Sequence, residues 1–296
     1  GSQVTLVEGV SQLLGREDPE VGELIESTLA GEGVSVMTDA RALEVLNGEI
    51  GYQLVVEHDG DRKILPLDYL LVSAGRQANV EGLGLEALGI TTTQAGPLEL
   101  NERLQTRLPN IWACGDLAGP YQLTHAAAHQ AWHAAVNALF GELKSFAVDY
   151  RYMPAVTYVQ PEVARVGLNE KEANAQSIAF EVTRYAMGES DRAIAEGATQ
   201  GFIKVLTVPG RDKILGATIV AENAGEWLGE FTLAMKHGLG LNKLLGTIHP
   251  YPTLGEAAKA TAGVWKNAHK PERVLALLKH YFNWRRGDSS AKKIDT

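Results

Sequence analysis

The chain has one cysteine, Cys114, in 296 residues. No disulfide can close within it, and no cysteine redox pair can be built from its own side chains. Cys114 stands in Trp112-Ala113-Cys114-Gly115, the expected end of an apolar strand, where a buried, inert thiol is expected. There is no stretch of about eighteen consecutive apolar residues, the length a spanning helix needs, and no charged-then-apolar leader. The cytoplasm is therefore the expected location. Basic excess is missing too: 27 Lys and Arg face 36 Asp and Glu, a formal charge of −9. Nucleic-acid binding draws on clustered cations, so that partner is excluded. His125 and His129 have the i, i+4 spacing that suits zinc, but no third ligand accompanies them and no metal site is expected.

What is present is enough apolar material, 45% of residues, to bury one large core or two. Val4-Thr5-Leu6-Val7 reads as a short buried parallel strand that ends in Glu8. Asp18-Pro19 starts a helix, with a polar cap and a proline at the first helical position, and Val21, Leu24, Ile25 and Leu29 form its apolar face. Val34 to Met37 is a second strand, followed by a hairpin around Asn47-Gly48 and a turn at Asp59-Gly60. An apolar strand is expected over Pro66 to Ser73, carried by Tyr69-Leu70-Leu71-Val72. Leu123-Thr124-His125 leads into an Ala-rich helix from Ala126 to Phe140.

After a patternless linker from Gly141 to Tyr152 the style changes. Strands are expected at Ala155 to Val159, Val163 to Gly167 and Phe180 to Tyr185, with Asn169 capping a helix to about Gln176. Gly201 to Val208 and Ile214 to Val220 pair across Pro209-Gly210, and Asn223 to Gly238 is a long helix. In Ile248-His249-Pro250-Tyr251-Pro252-Thr253-Leu254-Gly255-Glu256, each residue before a proline is pushed to extended backbone. His249 and Tyr251, two apart, are then expected on one face. Thr253 and Glu256 also fit a capping box on an ordinary surface helix. Pro271 opens a last helix with Val274, Leu275, Leu278, Tyr281 and Phe282 on one face and Lys279, His280, Arg285 and Arg286 beside it. Packing on a second copy of the chain is expected for it ahead of a membrane surface. Asp288 to Thr296 reads as a disordered tail.

Three motifs carry a resemblance. Thr106-Arg107-Leu108-Pro109-Asn110-Ile111-Trp112-Ala113-Cys114-Gly115-Asp116 closely resembles the second flavin motif, Thr-x-x-Pro-x-Ile-x-Ala-x-Gly-Asp, of the pyridine nucleotide-disulfide oxidoreductases. Ala74-Gly75-Arg76-Gln77-Ala78-Asn79 is similar to that family's Gly-Arg-x-Pro-Asn crossing, with Ala78 in place of proline. The stretch from His249 to Glu256 resembles its terminal His-x-His-Pro-Thr-x-x-Glu signature, with Tyr251 where lipoamide dehydrogenase-like members place their acid/base histidine. Mercuric reductase-like members also carry tyrosine there. A phenol ionising near pH 10 is a poor general base at neutral pH but a good donor and orienting group.

The resemblance implies an α/β fold: incomplete Rossmann-like NAD- and FAD-binding domains plus an α+β interface domain that forms a homodimer. Its expected divisions are 1–73, the end of the NAD domain; 74–148, the returning segment of the FAD domain; 149–270, the interface domain; and 271–296, a terminal helix and tail. No room for a glycine fingerprint remains before the opening strand, so the chain is expected to be the carboxyl-terminal portion of a longer protein. The resemblance further implies FAD and NAD as cofactors. Asp116 with Gly115 would take the ribityl chain, and Gly75 would lie at the crossing. Thr124, His125 and Ala126 would open the helix that faces the flavin, while Glu8 would hold the adenosine ribose and favour NAD(H) over NADP(H). Tyr251 and Glu256, with His249 nearby, would shape the site of a small-molecule acceptor on a neighbouring subunit. Two readings remain beside it: a non-catalytic dimerisation module, and a flavoenzyme whose acceptor is a metal or a quinone.

Overall fold

A computed structural model describes residues 1–48, 51–93 and 96–286. They fall into two compact units, one gathering 1–46, 54–65 and the chain from Pro154 onward, the other 47–53 and 66–153.

The first unit begins with strand β1 (Thr5–Val7), helix α1 (Pro19–Gly31) and strand β2 (Ser35–Met37). β1 and β2 pair in parallel, Leu6 opposite Val36, as a strand-helix-strand unit requires. The predicted apolar face of α1 is used: Val21 and Ile25 are buried with Leu13 against Val163, Phe202 and Val220, with Leu24 and Leu29 at the margin. Burial of each such side chain is worth about 1.5–3 kcal/mol. Strands β3 (Arg41–Gly48), β4 (Gly51–His58) and β5 (Asp61–Leu67) form a three-stranded sheet in that order. Asp59 and Gly60 both take left-handed backbone, φ 58° and 81°, which a tight hairpin turn demands. The turn expected beside Asn47-Gly48 falls at 49–50, outside the described residues.

The second unit holds one long helix, α2 (Thr124–Phe140), and little other regular structure among its described residues. Two expectations fail here. β5 stops at Leu67 and no strand follows; Tyr69 is 96% exposed, Leu71 89% and Val72 74%. An apolar run becomes a strand only where a neighbour offers hydrogen-bonding backbone, and no described strand does so for these residues. The strand expected before Gly115 is likewise reduced to an isolated bridge between Gln105 and Trp112. Turns hold that motif instead: Thr106 and Ala113 donate their N–H groups to the Ile111 and Leu104 carbonyls, both at 2.9 Å.

From Pro154 the chain returns to the first unit with β6 (Pro154–Thr157), β7 (Glu162–Gly167), α3 (Glu170–Ala175), β8 (Glu181–Ala186), α4 (Asp191–Glu196), β9 (Phe202–Thr207) and β10 (Ile214–Ala221). Helices α5 (Ala224–Lys236), α6 (Leu241–Leu245), α7 (Glu256–Ala268) and α8 (Glu272–Arg285) follow. The five strands make one antiparallel sheet, β6-β7-β10-β9-β8, closed by the Pro209-Gly210 turn between β9 and β10. Every residue of β9 is buried. α5 packs on β6, β7 and β10, and α7 on β8 and β9. α8 has its expected apolar face, yet no residue on it is buried. The tail expected from Asp288 lies outside the described residues.

A charged cluster ties the start of α1 to this sheet. Lys204, in β9 and 1% exposed, places its ammonium 2.6 Å from Asp18, 2.5 Å from Glu20 and 2.7 Å from Glu170. Asp18 was expected to cap α1 with its side chain, and it does not. Its carboxylate instead accepts from the Lys171 and Glu170 N–H groups at the start of α3, at 3.0 and 3.3 Å, because Lys204 draws it there. Beside it Arg165 bridges Glu17 and Glu172 at 2.8 Å each, and the Asn169 amide donates to the Arg16 carbonyl at 2.8 Å. Asn169 also caps α3 as expected, accepting from the Glu172 N–H at 2.8 Å. Among the described residues no helix is long and apolar enough to cross a membrane, and no group of three His, Cys, Asp or Glu side chains is placed to hold a metal ion.

Candidate functional site

The residues predicted to meet a flavin lie in the second unit, and the structure gathers several of them. Gly115 has φ 83°, backbone that an L side chain rarely adopts, and a Cβ there would meet the Ala127 Cβ at 3.7 Å in the first turn of α2. Its N–H donates to the Gln130 Oε1 at 2.7 Å. From the same side chain, Nε2 donates to the Gly119 carbonyl and the Tyr150 hydroxyl oxygen, both at 2.7 Å. Gln130 is fully buried, so one amide closes both ends of the 115–119 loop on α2. Burial pushes the Tyr150 phenol up, partly offset by that hydrogen bond.

Held this way, Asp116 is exposed at the loop's surface, as are Thr124 and His125, while Ala126 is buried. Gly75 is exposed with φ 131°, and the adjacent Arg76 donates to the Gln122 carbonyl at 3.1 Å, which brings the crossing segment to the entry of α2. An exposed carboxylate directly after a glycine, in a loop bound to a long helix, fits a ligand bearing several hydroxyl donors. Cys114 is free and half-buried, rather than buried as expected. A cavity of about 370 Å³ near Gly119, Pro120 and Tyr150 is lined by none of the residues predicted for cofactor contact.

In the first unit Glu8 directly follows β1. Its N–H donates to the Met37 carbonyl at 2.8 Å, and its half-buried carboxylate accepts from the Val10 N–H at 3.2 Å. It thus stands at the end of a parallel strand, where a ribose-binding acid belongs.

The terminal segment forms no strand; it bends at Tyr251, Pro252 and Leu254 before α7 and splits the pair expected on one face. His249 turns inward: its side chain is 8% exposed, with Nε2 2.8 Å from Glu230 on α5 and Nδ1 3.1 Å from the Thr247 carbonyl. Both ring nitrogens are engaged, which fixes the imidazole in place. Tyr251 turns outward, 68% exposed, and its hydroxyl donates to Asp191 Oδ2 at 2.9 Å. That bond, then the Asp191 charge, a little burial and the Glu256 charge all raise the phenol above its ordinary range. Tyr251, Glu256, Asp191, Glu189, Tyr185 and Lys259 line a cavity of about 310 Å³; His249 is not part of it. Thr253 accepts from the Glu256 N–H at 3.3 Å, so half of the capping box forms alongside the cavity.

Asp191, Gln130 and Lys204 were not singled out from sequence. Asp191 did have a local signal: Ser190 accepts from the Ala193 N–H and Gly197 closes α4 with φ 70°, but six residues are too few to show helical periodicity.

Comparison with known proteins places these features in context. Residues 1–131 match the family described as pyridine nucleotide-disulphide oxidoreductase, and residues 153–262 match its dimerisation domain. The chain is 33% identical over 262 residues to a dihydrolipoyl dehydrogenase of Staphylococcus aureus, covering 88% of this chain and 55% of the relative. It is 36% identical over 263 residues to a mercuric reductase of Shewanella putrefaciens, covering 88% and 46%. It therefore spans about half the length of the curated relatives it matches. Among solved structures, a Cu(II) complex of the HOCl-induced flavoprotein disulfide reductase RclA from Escherichia coli superposes with a TM-score of 0.79 at 27% identity, over 89% of this chain and 58% of that one. LpdA from Mycobacterium tuberculosis gives 0.80 at 27% identity, over 88% and 56%.

Proposed function

Because this chain belongs to the pyridine nucleotide-disulphide oxidoreductase family, we propose that it is the carboxyl-terminal portion of an FAD-dependent, NAD(H)-using oxidoreductase that works as a homodimer. FAD, once bound, would supply the redox chemistry that links NADH oxidation to reduction of a disulfide or another small acceptor. Within this chain, Glu8 orients the adenosine ribose, and its charge disfavours an added 2′-phosphate. Asp116 accepts from ribityl hydroxyls, with Gly115, Gly75, Thr124, His125 and Ala126 forming the wall around it. Tyr251 and Glu256 serve the acceptor side of the neighbouring subunit's flavin. His249 acts through its place beside Glu230 and not as the acid/base group.

The domain reading follows the same lines: 1–73 closes the NAD domain, 74–148 returns to the FAD domain, 149–270 makes the dimer, and 271–296 ends the chain. The observation that carries the proposal is the left-handed Gly115 backbone held by Gln130, which leaves Asp116 open for a ligand. In a protein containing this chain and its flavin-binding partner region, NADH should bleach the flavin absorbance; failure to bleach removes the reading. Tyr251→Phe should lower turnover while leaving that bleaching in place.

A second reading is favoured by the exposed Tyr69 to Val72 run and the single cysteine: alone, the 296-residue chain is a dimerisation module without redox activity. Purified chain that is colourless and dimeric in solution supports it, and yellow chain refutes it. Tyr251 in place of histidine leaves room for a metal or quinone acceptor, which turnover assays with each class would distinguish.

A further inference from the structure

The terminal tyrosine sits in a particular hydrogen-bond state. Its only proton is directed to Asp191 Oδ2, 2.9 Å away, and what the phenol oxygen has left to offer is lone pairs. Asp191 is the first residue of α4, and its neighbour Ser190 does the capping, so the carboxylate is not needed to start the helix. Both side chains line the same cavity as Glu256.

We propose that Asp191 is a positioning residue: by taking the Tyr251 hydroxyl proton into a charge-assisted hydrogen bond, it makes the phenol an acceptor toward whatever occupies the adjoining cavity. This rests on the reading that Tyr251 faces the electron acceptor. It changes the chemistry expected of a bare tyrosine. With its proton committed to Asp191, the phenol has none to give the cavity's occupant. The occupant best matched to this wall carries a hydrogen-bond donor, such as an ammonium, amide or hydroxyl group. A carboxylate at that point would meet lone pairs and the Asp191 charge with no donor to receive it. Lys259 is the cation lining the cavity, beside the acids Glu189 and Glu256 and the second phenol, Tyr185.

The first test uses the 296-residue chain itself. Ultraviolet titration of the chain, less that of Tyr251→Phe, isolates the ionisation of Tyr251. Asp191→Asn should move that ionisation to lower pH with the circular dichroism of the fold unchanged, and Asp191→Glu should restore it. A Tyr251 titration indifferent to residue 191 overturns the inference and leaves the proposed enzyme untouched.

The second test uses the flavin-loaded protein containing this chain and two disulfide probes of opposite charge, cystamine with two ammonium groups and dithiobis(2-nitrobenzoate) with two carboxylates. The kcat/KM ratio should favour cystamine, and Asp191→Ala, which frees the phenol proton, should cut that ratio about tenfold. A ratio unmoved by Asp191→Ala, after a positive titration, shows that the pair exists away from the acceptor, and the acceptor-side role of Tyr251 falls with the inference.

Discussion

The two compact units are built from similar proportions of apolar residues to very different effect. In the first, Phe202 to Thr207 is buried along its whole length between β10 and β8, lysine included. In the second, Tyr69 to Val72, apolar throughout, is exposed and pairs with no described strand. The difference is neighbours and not propensity: β9 has a strand on each side, and the Tyr69 run has no described strand beside it. The units also differ in how polar groups enter their interiors. The first buries a full charge and surrounds it with carboxylates, whereas the second buries neutral amides, Gln130 and Asn137, that bond to loop backbone.

That contrast can be broken most sharply at Lys204. Lys204→Met removes the counter-charge from Asp18, Glu20 and Glu170 and should cost about 3–5 kcal/mol, read as a lower urea midpoint. Amide exchange should accelerate in α1 and β9 while α2 stays protected. Gln130→Leu inverts the pattern. It strands the Gly115 N–H, the Gly119 carbonyl and the Tyr150 hydroxyl, for about 1–3 kcal/mol. Exchange should then quicken at the Gly115 amide and not in β9.

A weaker probe is pH. Burial alone would raise the Asp18 carboxyl, but hydrogen bonds from Lys204 and from the Lys171 and Glu170 N–H groups hold it below its ordinary 3.8. Its contribution is therefore complete above pH 3.8 and is lost as pH falls through the depressed value. Acid titration of wild type should show a stability loss in that range that Asp18→Asn lacks. The smallest effect is expected at Tyr251→Phe. An exposed phenol bonded at the surface should leave the denaturation midpoint of the first unit where it was, and a clear drop would mean that the cavity wall is a structural element.

Much of the first unit could be read from residues alone. Asn169 caps α3, Pro19 opens α1 and Pro209-Gly210 turns the β9–β10 hairpin, because each acts through its own few neighbours. The residues proposed to meet a flavin were legible as a motif, but the turns that hold them and the buried Gln130 were not, since a glutamine in an alanine-rich helix gives no sign of what it will reach. Lys204 was hidden for a related reason. A lysine inside Phe-Ile-Lys-Val-Leu reads as a solvent-facing position, and only acids distant in the chain, Asp18 and Glu20 among them, make its burial tolerable. Asp18 has a local reading as the cap of α1 and a distant one as the cap of α3, and the distant one won because it alone supplies a cation. Tyr251 and His249 were separated by the same kind of long-range choice, each taking the carboxylate within its reach.

The Lys204 cluster has a mechanical corollary. Because its ammonium grips the beginning of α1 and the beginning of α3 together, the segment that follows Glu8 is anchored to β9 at its far end. A displacement of the sheet would therefore be passed along that segment toward the end of β1.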